Sequence, residues 1–202
     1  MISSVVLWGT KKTLYFFVIA NLVGSSFELL SLNTGIPFGH YIYTTELGPK
    51  IGQLPIFIPL LWASIGFYSM QAGGKYIMPF LMVTLDLAFD PRYSGHLWIW
   101  TSTTQYFGDP WTNFVGWLIT SVFITLIFYL MSRNSDKLDL RAITFYYLFG
   151  IDNCISDIYS KLLDPAIISA IIFTSTFLLL IFIYRKGQSD SSKFMMENVA
   201  TN

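Results

Sequence analysis

The chain has 202 residues, room for one domain, and 53% of them are hydrophobic while only 12% are charged. Soluble domains carry roughly a quarter charged residues, so this composition excludes an ordinary soluble domain and indicates an integral membrane protein. Net charge is zero, which leaves no basic face for nucleic acid, and one Cys with two His gives neither a disulfide nor the spacing of a zinc or iron site.

A helix crossing the hydrocarbon core needs about 20 apolar residues. The first stretch, 14–32, follows Lys11 and Lys12 as a signal peptide would, but it contains Asn21 and Glu28 and lacks a small-x-small cleavage site, so it reads as a helix of the mature protein. Asn21, Ser25 and Glu28 fall at i, i+4 and i+7, one face turned toward protein rather than lipid. After a loop rich in aromatics come an apolar stretch at 51–70 and a shorter one at 76–89, which the sequence ends at Asp90-Pro91. Asp86 and Asp90 share a face there, and two carboxylates that close share a proton or hold a cation. A second long connection, 91–112, leads to stretches at 113–132, 140–159 and 166–184.

The predicted fold is therefore all-α, a polytopic transmembrane helix bundle of about six spans. Residues 1–186 form the transmembrane domain, and 187–202 a disordered polar cytoplasmic tail. Placing both termini in the cytoplasm puts Lys11, Lys12, Lys75, Arg133, Lys137, Arg141, Arg185, Lys186 and Lys193 inside and only Lys50, Arg92 and Lys161 outside. That asymmetry obeys the positive-inside rule for a plasma-membrane protein. It also directs Glu28, Asp86, Asp152 and Asp157 toward one side, which predicts a shared site.

Carboxyl groups within apolar spans are functional candidates by default. Glu28 and Asp86 lead as proton donors, because hydrocarbon favours the neutral acid that proton donation requires; Asp90 joins them or caps the turn at Pro91. Asp152 and Asp157, with Asn153, Ser156 and Tyr159, point either to a water-filled cavity or to plain helix-to-helix hydrogen bonding. Asp109-Pro110 and Asp164-Pro165 read as helix punctuation. His40 and His96 can relay protons or simply sit at the surface. Aromatic residues make up 18% of the chain, more than two interfacial belts need, and aromatic faces stabilise a transient cation.

The ordered clusters Glu28, Gly35-Ile36-Pro37-Phe38-Gly39-His40-Tyr41-Ile42-Tyr43, Leu47-Gly48-Pro49, Leu54-Pro55-Ile56 and Pro59-Leu60-Leu61-Trp62 carry a resemblance. So do Asp86, Asp90-Pro91, Trp98-Ile99-Trp100, Tyr106-Phe107-Gly108, Pro110 and Asn113-Phe114-Val115-Gly116-Trp117. Together they resemble the carotenoid biosynthesis membrane proteins that include carotenoid 1,2-hydratases. The resemblance covers about residues 25–120; the C-terminal third matches by hydropathy, and the N-terminus is shorter than is typical by about a helix. It implies a cofactor-independent hydro-lyase, without metal, that hydrates the terminal isopropylidene double bond of an acyclic carotenoid, as in bacterioruberin- or myxoxanthophyll-type pathways. Glu28, Asp86 and Asp90 would be catalytic, and His40, Tyr41, Tyr43, Trp98, Trp100, Tyr106, Asn113 and Trp117 would bind substrate. The lipid bilayer and neighbouring pathway enzymes are the expected partners. Two other classes compete. A membrane prenyltransferase would hold magnesium and a polyprenyl diphosphate between Asp86-x-x-x-Asp90 and Asp152-x-x-x-x-Asp157, but few Lys or Arg accompany them. A carotenoid-binding or proton-coupled carrier protein would use the carboxyls without chemistry, but no paired repeats appear.

Overall fold

The structure, a computed structural model, describes residues 8–132 and 138–200. Its elements in chain order are α1 (Thr10–Thr34), β1 (Tyr41–Tyr43), a 3-10 turn (Thr45–Leu47), β2 (Lys50–Ile51), β3 (Leu54–Pro55), α2 (Phe57–Tyr93), β4 (Trp98–Trp100), α3 (Trp111–Ser132), α4 (Leu140–Tyr159) and α5 (Leu163–Ala200). The fold is all-helical, as the composition predicts. The only pairings of strands are two short antiparallel ones, β1 with β4 and β2 with β3, among the described residues.

The sequence expects two helices at 51–70 and 76–89; the structure makes one hydrogen-bonded element of them with a break inside. Gly74 sits at φ 65°, ψ −173°, a conformation essentially reserved for glycine, and the chain folds back there. A Cβ on Gly66 would lie 3.4 Å from Met78 Cε, contact across the break that a straight helix could not make. The first arm of α2 thus lies against its second. The start of the expected helix is also displaced: residues 50–55 form the β2–β3 hairpin, and the helix begins at Phe57.

At its other end α2 runs through Asp90-Pro91 instead of stopping. Proline has no N–H to give the carbonyl four residues earlier, so Leu87 O would be left without its helical donor. The Tyr106 hydroxyl donates to that carbonyl at 3.0 Å. A residue from the next loop therefore lets the helix continue two further residues to Tyr93. Likewise α5 continues through 187–200, where the sequence suggests a disordered tail; extending an existing helix needs no new nucleus.

Packing is led by aromatic and methionine side chains, with Phe16, Trp62, Phe67, Met78, Met82 and Phe128 all buried. Large apolar residues also cover the outside. Leu14, Val18 and Leu22 are exposed along one face of α1, and Ile167, Ile171, Leu178 and Phe182 along α5. Such a surface suits lipid and is costly in water. Among the described residues three helices are long and apolar enough to cross a membrane, Thr10–Thr34, Trp111–Ser132 and Leu163–Ser189. The α2 arms and α4 are less apolar because they carry the polar residues described below. The predicted cytoplasmic residues Arg133 and Lys137 lie outside the described residues.

If the Tyr106 hydroxyl is what supports α2 past Pro91, Tyr106→Phe should leave a buried carbonyl without a partner. The expected loss is roughly 1–3 kcal/mol, read as a lower midpoint of thermal unfolding in detergent. An unchanged midpoint would show that water satisfies Leu87 instead.

Candidate active site

Glu28 lies one turn past Gly24 on α1, and Gly24 has no side chain because the Trp62 ring occupies that space, its Cγ 2.7 Å from where a Cβ would be. This close approach lets Trp62 Nε1 donate to Glu28 Oε1 at 2.9 Å. The other carboxylate oxygen accepts from Tyr43 at 2.7 Å and from the Tyr41 hydroxyl. Burial, then the neighbouring Glu28, pushes both tyrosine hydroxyls well above their ordinary range, so they stay protonated donors. Glu28 thus has three donors.

The two tyrosines reach it because side chains alternate across a strand. In the β1–β4 pair, Tyr41 stands opposite Trp100 and Tyr43 opposite Trp98, while Ile42 and Ile99 between them are exposed. One face of the ribbon is therefore aromatic and turned inward. Ser31 anchors the approach to it, donating to Gly39 O at 3.0 Å and accepting from Phe38 N–H at 3.1 Å.

Across from Glu28, Asp86 and Asp90 project from one face of the second arm of α2. The Asn113 amide, at the start of α3, donates to both, at 2.9 Å to Asp86 and 2.6 Å to Asp90. Both carboxyls are buried, and Asp86 Oδ1 has no protein partner. Between Glu28 on one side and Asp90 with Asn113 on the other is a cavity of about 40 Å³. Its remaining walls are mostly aromatic, including Phe38, Phe89, Trp98, Trp100 and Trp117. A water needs roughly 10–15 Å³, so the space has room for a few waters beside the carboxyls.

Of the residues picked from sequence, Glu28, Asp90, Tyr41, Tyr43, Trp98, Trp100, Asn113 and Trp117 line this cavity, and Asp86 stands behind Asn113. Two do not. His40 is exposed, and its main chain binds Ser102; Tyr106 serves the α2 terminus, packing on Phe114 with ring centroids 5.1 Å apart. The predicted convergence of all the carboxyls fails at α4. Asp157 faces Arg92 at 3.8 Å, and Asn153 accepts from the same guanidinium at 3.2 Å, while Asp152 is exposed. These polar groups join α4 to α2, which is the helix-to-helix reading.

Three residues were missed. Trp62 and Phe38 stood within the quoted motifs but were not among the chosen site residues. Asp109 read as punctuation before Pro110, yet it is fully buried, with Oδ1 accepting from Trp100 Nε1 at 2.7 Å and Oδ2 without a partner. Burial pushes its carboxyl from 3.8 up to about 6, against the hydrogen bond from Trp100.

The carotenoid biosynthesis protein family matches residues 1–181. This chain belongs to that family. The match extends well beyond the 25–120 region in which the motifs lie and includes most of the C-terminal third. The chain is also similar to bisanhydrobacterioruberin hydratase of Haloarcula japonica, 28% identical over 154 residues, which cover 69% of this chain and 51% of the relative. It therefore spans about half the length of the curated relative it matches. No solved structure matches. Among the described residues no group of three or more His, Cys, Asp or Glu is placed to hold a metal ion.

Titration of Asp109 gives a test of this family member's site. Between 3.8 and about 6 the folded chain binds more protons than the unfolded one. That stability is fully present below the lower value and lost as pH rises through the upper. Asp109→Asn still accepts from Trp100, so its melting temperature in detergent should gain on wild type as pH rises from about 4 to 7. A difference that stays flat across that window would show that Asp109 does not titrate there.

Proposed function

We propose that this protein adds water to the terminal isopropylidene double bond of an acyclic carotenoid. The observation that carries this reading is a water-sized, aromatic-walled cavity with carboxyls of unequal hydrogen-bond supply on opposite sides. Three donors serve Glu28, as an ionised carboxylate requires. One amide serves two aspartates, an arrangement that is satisfied when the pair shares a proton.

The roles follow. Asp90, backed by Asp86, gives the shared proton to the less substituted alkene carbon. Positive charge then develops on the tertiary carbon between aromatic faces, which stabilise a cation without capturing it, and opposite the Glu28 carboxylate. Water in the cavity attacks that carbon and loses its proton to Glu28. A second water returns the proton to the aspartate pair, so alkene plus water becomes tertiary alcohol with the enzyme unchanged. The balance needs no oxidant, reductant or metal. A hydratase relative agrees with this chemistry, though the chain spans only about half of it; the family supports a carotenoid as substrate, and the site supports the reaction.

Asp86→Asn, Asp90→Asn and Glu28→Gln should each lower hydration at least about tenfold, since proton transfer by a positioned group is worth 10²- to 10⁴-fold. The measurement is gain of water, by mass spectrometry, in cells that accumulate an acyclic carotenoid. Wild-type rates in all three variants would remove the mechanism.

The same proposal includes topology. Counting the two arms of α2 separately, about six spans with both termini cytoplasmic in the plasma membrane put the β1–β4 ribbon and the site at the outer end. Cysteines at Thr45 and Thr103, both exposed, should react with an impermeant reagent on intact cells, and one at Ser135 should not. The opposite labelling would invert the orientation.

A further inference from the structure

A second cavity, of about 120 Å³, lies between the first arm of α2, its second arm and α4. Its position is set by helix register. Leu61 and Phe89 line the carboxyl cavity; Ile65 and Leu85, each one turn deeper on its own arm, line the second. One turn is about 5.4 Å, a step that one extended isoprenoid repeat covers. The deeper chamber therefore sits where the chain of a substrate would continue if its end were at Asp90.

The lining suits such a chain. Tyr68 and Phe145 stack there with ring centroids 4.2 Å apart. The Tyr146 hydroxyl is bonded to Leu81 O at 3.1 Å and to Thr84, leaving its ring to the chamber. The lining surface is wholly apolar. An apolar cavity of about 150 Å³ stays dry and takes a benzene-sized guest, so this one accepts a short planar hydrocarbon segment. It also has a mouth. Ser64 and Phe145 are exposed on the flanks of α2 and α4, midway along helices whose outer surface is apolar, so the chamber opens sideways toward lipid.

We infer that this chamber is a lateral subsite through which an acyclic polyene approaches from the bilayer and in which the chain beside the reacting end is held. The inference rests on the hydratase reading for the identity of the end group, but not for the presence of the chain. A bilayer acyl chain is the competing occupant. The planar, conjugated chain is favoured because half of the lining is aromatic, Tyr68, Phe145, Tyr146 and Phe149, and because the register joins the chamber to the carboxyl cavity.

The test uses the full-length protein purified from cells that accumulate an acyclic carotenoid, with Ser64→Trp and Phe145→Trp plugging the mouth from opposite walls and Ile171→Trp, on the exposed face of α5, as control. Both plugs change exposed positions, and thermal unfolding checks that each variant is folded. Two quantities are read: carotenoid retained per protein, from its visible absorbance, and hydrated product. Both plugs should lower retention by roughly tenfold, the scale of steric exclusion from an apolar pocket, while Ile171→Trp retains the wild-type amount. Wild-type retention in both plugged variants overturns the subsite. So does a loss of retained phospholipid, by lipid mass spectrometry, without loss of carotenoid. If wild type retains carotenoid and the plugs release it but no product forms, the hydratase reading fails and the subsite stands.

Discussion

Three carboxyl groups buried at one end of an apolar helix bundle need hydrogen-bond donors, and their own helices cannot supply them. An ionised carboxylate without partners in such surroundings costs several kcal/mol, so the donors must come from elsewhere in the chain. Tyr41 and Tyr43 come from β1, Trp62 from the first arm of α2, and Asn113 from the start of α3. This requirement draws the loops over the end of the bundle. The β1–β4 ribbon, too short to be stable alone, gains its anchor from the two tyrosines that reach Glu28. Gly24 and the fold-back at Gly74 have the same purpose, since the first lets Trp62 approach α1 and the second returns Asp86 and Asp90 to the same end.

The unequal distribution of donors gives the site its direction. Three donors reach one side of the cavity and one the other. In the proposed mechanism this difference sets a proton-donating pair and a separate anion across the width of a few waters. The aromatic walls exclude bulk solvent, which strengthens the field of the anion at the place where positive charge would develop. Asp109 lies just outside, holding the Trp100 indole through its N–H, so a carboxyl that takes no part in the cavity fixes the orientation of one of its walls.

The helical class, most of the helix positions and eight of the eleven chosen site residues on the cavity wall were legible from hydropathy, carboxyl position and motif. What escaped has physical reasons. The continuation of α2 past Pro91 depends on a hydroxyl fifteen residues later, and local proline rules carry no information about Tyr106. Asp109 looked like any Asp-Pro turn, since nothing nearby in sequence marks it as buried. Asp157 looked like Asp86, an acid late in an apolar helix; only the three-dimensional approach of Arg92 separates a structural ion pair from an acid bonded to the amide beside the cavity. His40 failed for the reverse reason. It stands in the same loop as Tyr41 and Tyr43, but strand alternation turns neighbouring side chains apart, and its backbone rather than its ring is used.

A reaction between water and a chain that dissolves only in lipid constrains where its site can lie. Deep in the bundle, water would be scarce and the intermediate would lack a nucleophile; at the surface, water would surround the acid and weaken its proton transfer. The end of the bundle beneath an aromatic ribbon meets both demands, with room for a few waters beside the carboxyls and hydrocarbon one helical turn below. The fold-back at Gly74 is what aligns these two environments, because each arm of α2 lines the polar cavity and, a turn deeper, the apolar chamber. In the proposed reaction the geometry of a single hairpin thus sets the distance between the group that reacts and the chain that carries it.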